Sequence, residues 1–133
     1  MSLPYENPKW REVMGEALHP GGEALSRRLI RLCDFPPGAR ILDAGCGMGA
    51  TLGLLVEEGF DALGLDRSDD LLAEAERRGQ VVKADLCQMP FEDGSFDGAI
   101  CECVLSQQKE LSPALSELAR VLKEGGILGV TDI

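Results

Sequence analysis

Arg40-Ile41-Leu42-Asp43-Ala44-Gly45-Cys46-Gly47-Met48-Gly49-Ala50 decides how this chain is read. A short apolar run passes into a turn with three glycines in five residues, and a helix opens at Ala50. Glycine takes positive φ without steric penalty and leaves no Cβ between the backbone and a ligand. Asp43 falls where the strand ends, close enough to present a carboxylate to whatever the turn holds.

Working outward, the pattern alternates strand and helix. Before the turn, Asn7-Pro8 predicts a helix start, and Trp10, Val13, Met14, Ala17 and Leu18 recur at helical spacing over residues 8–18. A second helix is expected from about Glu23 to Cys33, with Leu25, Leu29 and Leu32 on one face, and Phe35-Pro36-Pro37-Gly38 turns the chain into the first strand. After the turn, Leu52, Leu54, Leu55 and Val56 predict a short, mostly buried helix ending at Gly59. Phe60 to Leu65 reads as a second strand ending in Asp66. Ser68 caps the next helix, Asp69 and Asp70 suit its first turn, Arg77 and Arg78 its last, and Gly79 closes it. Val81 to Ala84 is a third strand ending in Asp85, and Phe96 to Val104 a fourth. Ser112-Pro113 starts a helix that presents Leu115, Leu118, Val121 and Leu122 to the core. Glu124-Gly125-Gly126 then turns into a fifth strand, Ile127 to Val130. Strands with little polar alternation, separated by helices, give an α/β fold: a doubly wound parallel sheet of five strands covered on both faces.

Composition narrows the partners. The chain has 133 residues, 44% hydrophobic and 27% charged, as in a single globular domain with a modest core. Its net charge is −10, with 7 Lys/Arg against 18 Asp/Glu over residues 41–133, which repels a phosphate backbone and argues against nucleic acid. No apolar run approaches the roughly 20 residues of a membrane span, and the N-terminus shows no basic-then-apolar secretory pattern. Five cysteines without a CxxC pair point to free thiols and a cytoplasmic setting.

Three successive strands end in aspartate: Asp43, Asp66 and Asp85. In a parallel sheet their carboxylates line one edge, where ligands bind near the reversal of strand order. Asp66 follows Gly47 by 19 residues, about the spacing at which an acidic residue accepts from ribose hydroxyls. Asp85 is placed to accept from an exocyclic amine, with the Leu86 N–H completing an adenine edge. Two nucleoside ligands compete for the turn. Gly45-x-Gly47-x-x-Ala50 satisfies the dinucleotide fingerprint, which serves a pyrophosphate at a helix N-terminus. Asp43 would repel that anion and suits a cationic aminoacyl sulfonium, which moves the balance away from NAD.

Ile41 to Gly49 resembles the first motif of class I S-adenosylmethionine-dependent methyltransferases. Gly64-Leu65-Asp66-Arg67-Ser68 resembles their ribose-binding segment, which brings in Arg67. Ala84-Asp85-Leu86 with Met89-Pro90-Phe91, then Ser95-Phe96-Asp97, resembles the adenine-contacting loop and the entry to strand four. Arg120-Val121-Leu122-Lys123-Glu124-Gly125-Gly126 looks like the turn before strand five. The match covers about residues 36–132 and is nearest the type 11, UbiE-like group acting on small molecules. It implies S-adenosyl-L-methionine as cofactor, S-adenosyl-L-homocysteine as product, and a Rossmann-like sheet of order 3-2-1-4-5. It also implies one domain over 1–133, with 1–35 a helical cap of the kind that closes over the cofactor and 36–133 the core.

The resemblance further implies contacts at Gly45, Cys46 and Gly47, and backbone carbonyls near Gly45 and Cys101 for the methionine amine. Donors for the methionine carboxylate are expected from the His19–Gly22 segment or Arg11. Glu102 and Cys103, at the end of strand four, are the catalytic candidates, a base being needed only if the acceptor must lose a proton. Ile100-Cys101-Glu102-Cys103-Val104 also resembles the corresponding strand of arsenite methyltransferases, which have a metalloid-binding cysteine at the place of Cys103. Their other cysteines are not matched, and no metal is assigned, although Cys101 and Cys103 on one strand face would suit a soft ion. Class I enzymes have seven strands in the order 3-2-1-4-5-7-6, and the last two, a hairpin beside strand five, are absent here. The expectation is an open edge at strand five, met by a truncated C-terminus, a homodimer or a partner chain.

Overall fold

The computed structural model describes residues 22–132. The elements are α1 (Gly22–Cys33), β1 (Arg40–Ala44), α2 (Ala50–Glu57), β2 (Asp61–Asp66), α3 (Asp69–Ala75), β3 (Gln80–Lys83), β4 (Phe96–Glu102), α4 (Leu111–Val121) and β5 (Leu122–Thr131). The helix expected over residues 8–18 lies outside the described residues.

All the strand pairings are parallel, in the order β3-β2-β1-β4-β5. Alternate residues of the central strands feed two cores. Ile41 and Ile100 pack with Leu29 and Ile30 of α1 and with Leu52 and Leu55 of α2. Leu42, Ala99 and Cys101 pack with Ala114, Leu118 and Val121 of α4 on the opposite face. Burying a leucine of this kind contributes roughly 1.5–3 kcal/mol. The sheet is thus wound on both sides, as the sequence predicts.

Glycines let α1 and the Phe35 turn press onto the sheet. A Cβ at Gly98 would lie 2.3 Å from the Phe35 ring, and one at Gly129 would lie 2.5 Å from Cys33 Sγ. Phe35 is itself held edge-on to Phe60, their centroids 5.8 Å apart, so the ring has little room to retreat.

Several boundaries differ from the sequence reading. In α1 the buried face is Ser26, Leu29, Ile30 and Cys33, while Leu32 is 72% exposed. Val56 and Leu115 are also turned outward, and Leu122 is already the first residue of β5. The Glu124-Gly125-Gly126 turn is a bulge inside β5: Phe96 pairs with Leu122 and Gly98 with Ile127, and Lys123 to Gly126 loop out with Gly125 at φ +78°. β4 stops at Glu102, so Cys101 and Cys103 do not share a strand face. Cys103 leaves the strand at φ +53°, a left-handed conformation uncommon for a residue with a Cβ. β5 lies at the end of the sheet, an edge among the described residues, with Ile127 and Val130 partly exposed.

The N-terminal ends of the strands are stitched by charge. Asp97 accepts from the Arg40 N–H at 2.8 Å and from Lys123 Nζ at 3.0 Å, and Arg40 also pairs with Asp61. The backbone N–H of Arg40, then Lys123, hold the Asp97 carboxyl below the usual carboxylate range.

Two predictions follow from this packing. Gly98→Ala should cost roughly 1–3 kcal/mol in urea denaturation, because the added methyl overpacks the Phe35 ring; an unchanged midpoint would show that the ring yields freely. A carboxylate whose folded pKa is depressed contributes stability above its unfolded pKa of about 3.9 and loses it as pH falls through the folded value. Asp97→Asn should therefore lower stability at neutral pH and flatten its decline below about pH 4. Parallel acid limbs for the two proteins would remove Asp97 from that transition.

Candidate functional site

Because every strand runs the same way, the C-terminal ends of β1 to β4 meet along one edge, and the loops there converge on the glycine turn. Gly45 and Cys46 donate their backbone N–H groups to Leu65 O at 2.7 and 2.9 Å. Gly47 N–H donates to Asp66 Oδ2 at 3.0 Å, and Ser68 N–H donates to Asp66 Oδ1 at 3.0 Å. One carboxylate therefore ties the glycine turn to the entry of α3. Ser68 in turn caps α3, its Oγ accepting from Leu71 N–H at 3.2 Å. A carboxylate has about four lone-pair sites, so each Asp66 oxygen retains capacity for a further donor.

The turn needs glycine at two close approaches. At Gly45, φ +78°, a Cβ would lie 2.4 Å from Val104 Cγ2. At Gly49, φ +88°, it would lie 2.9 Å from the Ala75 backbone. Asp43 is 2% exposed and sits level with Gly64 on β2 and Ile100 on β4.

The remaining predicted residues fall into two groups. Asp66, Arg67 and Asp85 lie at the surface or partly so, and Asp85 Oδ1 accepts from Cys87 N–H at 2.8 Å in a tight turn just beyond β3. Cys46, Leu86 and Cys101 turn their side chains into the core. Cys46 Sγ packs over Gly64, where a Cβ would come within 2.8 Å. Burial, then the charge of Asp43, pushes the Cys46 thiol far up and the Cys101 thiol up to about 12, so neither is a thiolate near neutral pH. These three residues can meet a ligand only through the backbone. The His19–Gly22 segment, save Gly22, and Arg11 lie outside the described residues.

Glu102 is held on the α1/α2 face. Its Oε2 accepts from Ser26 Oγ at 2.6 Å and its Oε1 from Thr51 Oγ1 at 2.6 Å, with the two hydroxyl oxygens 3.1 Å apart. Cys103 N–H donates to Thr131 O at 2.7 Å, and its carbonyl accepts from Gln107 Nε2 at 2.6 Å.

A second fastening, absent from the sequence reading, secures the loop after β3. Arg120 of α4 donates to Glu117, Met89 O, Phe91 O and Asp93, and Glu117 accepts from Met89 N–H. The only trace in the sequence is an acidic and a basic residue at i,i+3 spacing, which is ordinarily a solvated pair. Thr51 and Val104 left no signal beyond their positions beside the glycine turn and strand four.

Comparison with known proteins gives the family that the motifs resemble. The family described as "Methyltransferase domain" matches residues 42–130. The chain belongs to it. An uncharacterized methyltransferase, YodH, from Bacillus subtilis (strain 168) is 35% identical over 117 residues, covering 83% of this chain and 50% of that protein. A demethylmenaquinone methyltransferase from Beutenbergia cavernae is 35% identical over 125 residues, covering 91% of this chain and 52% of that protein. Among solved structures, the Haemonchus contortus phosphoethanolamine N-methyltransferase 2, in complex with phosphomonomethylethanolamine and S-adenosylhomocysteine, superposes with a TM-score of 0.84 at 26% identity, covering 96% of this chain and 33% of that one. The chain spans about half the length of the first two relatives. Among the described residues no helix is long and apolar enough to cross a membrane.

Asp66→Ala should release both ends of the bridge. Amide hydrogen exchange at Gly47 and Ser68 is expected to speed up, with a loss of about 1–3 kcal/mol in stability, the range for charge-assisted bonds. Unaltered exchange at both amides would show that the turn holds without the carboxylate.

Proposed function

We propose that this chain binds S-adenosyl-L-methionine and transfers its methyl group to a small-molecule acceptor, releasing S-adenosyl-L-homocysteine. The observation that carries the reading is the Asp66 carboxylate at the end of β2, tied to the glycine turn through Gly47 and flanked by Asp43 and Asp85 on the same sheet edge. Asp66 would meet the ribose hydroxyls beside Arg67, and Asp85 with the Leu86 N–H would meet the adenine. The backbone of Gly45, Cys46, Gly47 and Cys101, with Asp43 beneath, would receive the aminoacyl part. Family membership and the cofactor product bound to the Haemonchus contortus enzyme support the same choice.

Methyl transfer is an in-line displacement at a sulfonium, and the cofactor brings the electrophile. This chain's residues hold it, align the acceptor and keep water out. Glu102 and Cys103 are the candidates at the end of β4 for a proton acceptor, where the chemistry needs one. Glu102 is already bound by two hydroxyls, so its first task is to hold α1 and α2 at the site. The net charge of −10 favours a small acceptor over nucleic acid, and the five free thiols among the described residues suit a cytoplasmic setting.

A second reading rests on β5, which lies at the end of the sheet among the described residues. In it the chain is a cofactor-binding module whose acceptor site is completed by a second copy or a partner chain paired to that strand. Calorimetry and transfer of labelled methyl groups to a panel of small acceptors separate the readings. We expect S-adenosylhomocysteine to bind, NAD to be ignored, and Asp66→Ala to weaken binding by about 1–3 kcal/mol. Tight binding with no transfer to any acceptor would favour the module, and binding of NAD in place of the sulfonium cofactor would defeat both.

A further inference from the structure

Arg120 uses every donor it has. Its Nε donates to Glu117 Oε2 at 2.6 Å; Nη1 donates to Phe91 O at 2.7 Å and Asp93 Oδ1 at 3.0 Å; Nη2 donates to Met89 O at 3.1 Å and Glu117 Oε1 at 3.1 Å. A guanidinium has five N–H donors in a fixed plane, and here all five meet acceptors. Glu117 Oε1 also accepts from Met89 N–H at 2.8 Å, so both backbone groups of Met89 are engaged by the pair. The Arg120 carbonyl accepts from Gly94 N–H at 2.9 Å, at the far end of the same loop. Glu117 is 17% and Arg120 32% exposed in their side chains, well shielded compared with the surface pairs elsewhere in the molecule.

The fastened loop begins immediately after the Asp85–Gln88 turn. That turn is closed by Gln88 N–H donating to Asp85 O at 3.0 Å and by Cys87 N–H donating to Asp85 Oδ1. Leu86 and Met89 then anchor it in the core beside α4. From Asp85 to Met89 the chain is therefore held at one end by β3 and at the other by the guanidinium. Held at both ends, the backbone keeps Asp85 and Leu86 at one fixed spacing, which a polar surface loop would not maintain alone.

We propose that Arg120, with Glu117, is a positioning residue for recognition of the purine base. It holds the 85–91 loop so that Asp85 and the Leu86 N–H read the amine edge of adenine. The inference rests on the cofactor reading above and adds to it which side chains, remote from the ligand, set base selectivity. Lysine cannot replace the arginine, because it offers three donors from one point and cannot span Met89, Phe91 and Glu117 together.

The test is calorimetric titration of the full chain with S-adenosylhomocysteine and with its inosine counterpart, in which the adenine amine is a carbonyl. The wild type is expected to prefer the adenine form by about tenfold or more, the scale of one well-placed hydrogen bond. Arg120→Met should bring the two affinities to within about threefold, and Arg120→Lys should fall well short of restoring the difference. Glu117→Gln, which keeps the side-chain shape and an acceptor for Met89, serves if Arg120→Met does not fold, and it should lower the preference as well. A merely structural arginine would weaken both ligands equally; preference retained in the folded variants would overturn the inference while leaving the cofactor reading intact. A wild type that binds neither ligand would overturn both.

Discussion

A carboxylate that accepts from two backbone N–H groups on different loops is the constraint on which the ligand edge depends. Asp66 is the last residue of β2, so its position is set by the strand ladder, and from there it reaches Gly47 on one side and Ser68 on the other. Its own carbonyl accepts from Ala84 N–H at 3.0 Å, which brings in the end of β3. Two segments distant in sequence, at Gly47 and Ala84, and the adjoining start of α3 at Ser68 are therefore registered against one residue. The glycine turn has no capping side chain of its own at Gly49, and this outside support is what defines its shape. Ionised acceptors make the stronger class of hydrogen bond, so a single residue is sufficient for the purpose.

Around this centre the helices fasten the edge from both faces of the sheet. On the α1/α2 face, Glu102 collects hydroxyls from Ser26 and Thr51 and so joins the end of β4 to two helices. On the other face, Arg120 and Glu117 join α4 to the loop after β3. Each is a shielded polar group with several partners, an arrangement that is costly to break by removing one member. Nothing in either cluster needs to touch a ligand to govern the shape of the edge that does.

Much of this was readable before any coordinates. The glycine turn, the aspartates at the strand ends and the Ser68 cap depend on local chemistry, in which a residue type and its neighbours determine the backbone. The errors share a different cause. Leu32 continues the spacing of Leu25 and Leu29, yet the position turned inward is Ser26, because a buried carboxylate on a strand 76 residues away takes its hydroxyl. Strand-forming residues run on to Val104, but Cys103 turns left-handed and ends β4 two residues early, where its N–H meets Thr131 on the neighbouring strand. Arg120 donates to the carbonyls of Met89 and Phe91 as well as to carboxylates, and a carbonyl leaves no mark on the residue that carries it. Long-range partners decided all three.

The end of the sheet carries a consequence of its own. Among the described residues β5 pairs on one side with β4, and Ile127 and Val130 lie partly exposed on it. The bulge at Lys123 to Gly126 interrupts the ladder to β4, which runs regularly only from Ile127 to Thr131. Over residues 41–133, 18 acidic residues outnumber 7 basic ones, so the region that carries β5 is strongly acidic. Charge therefore weights whatever lies beside this strand. Whatever the neighbour, a basic segment is favoured there over an acidic one.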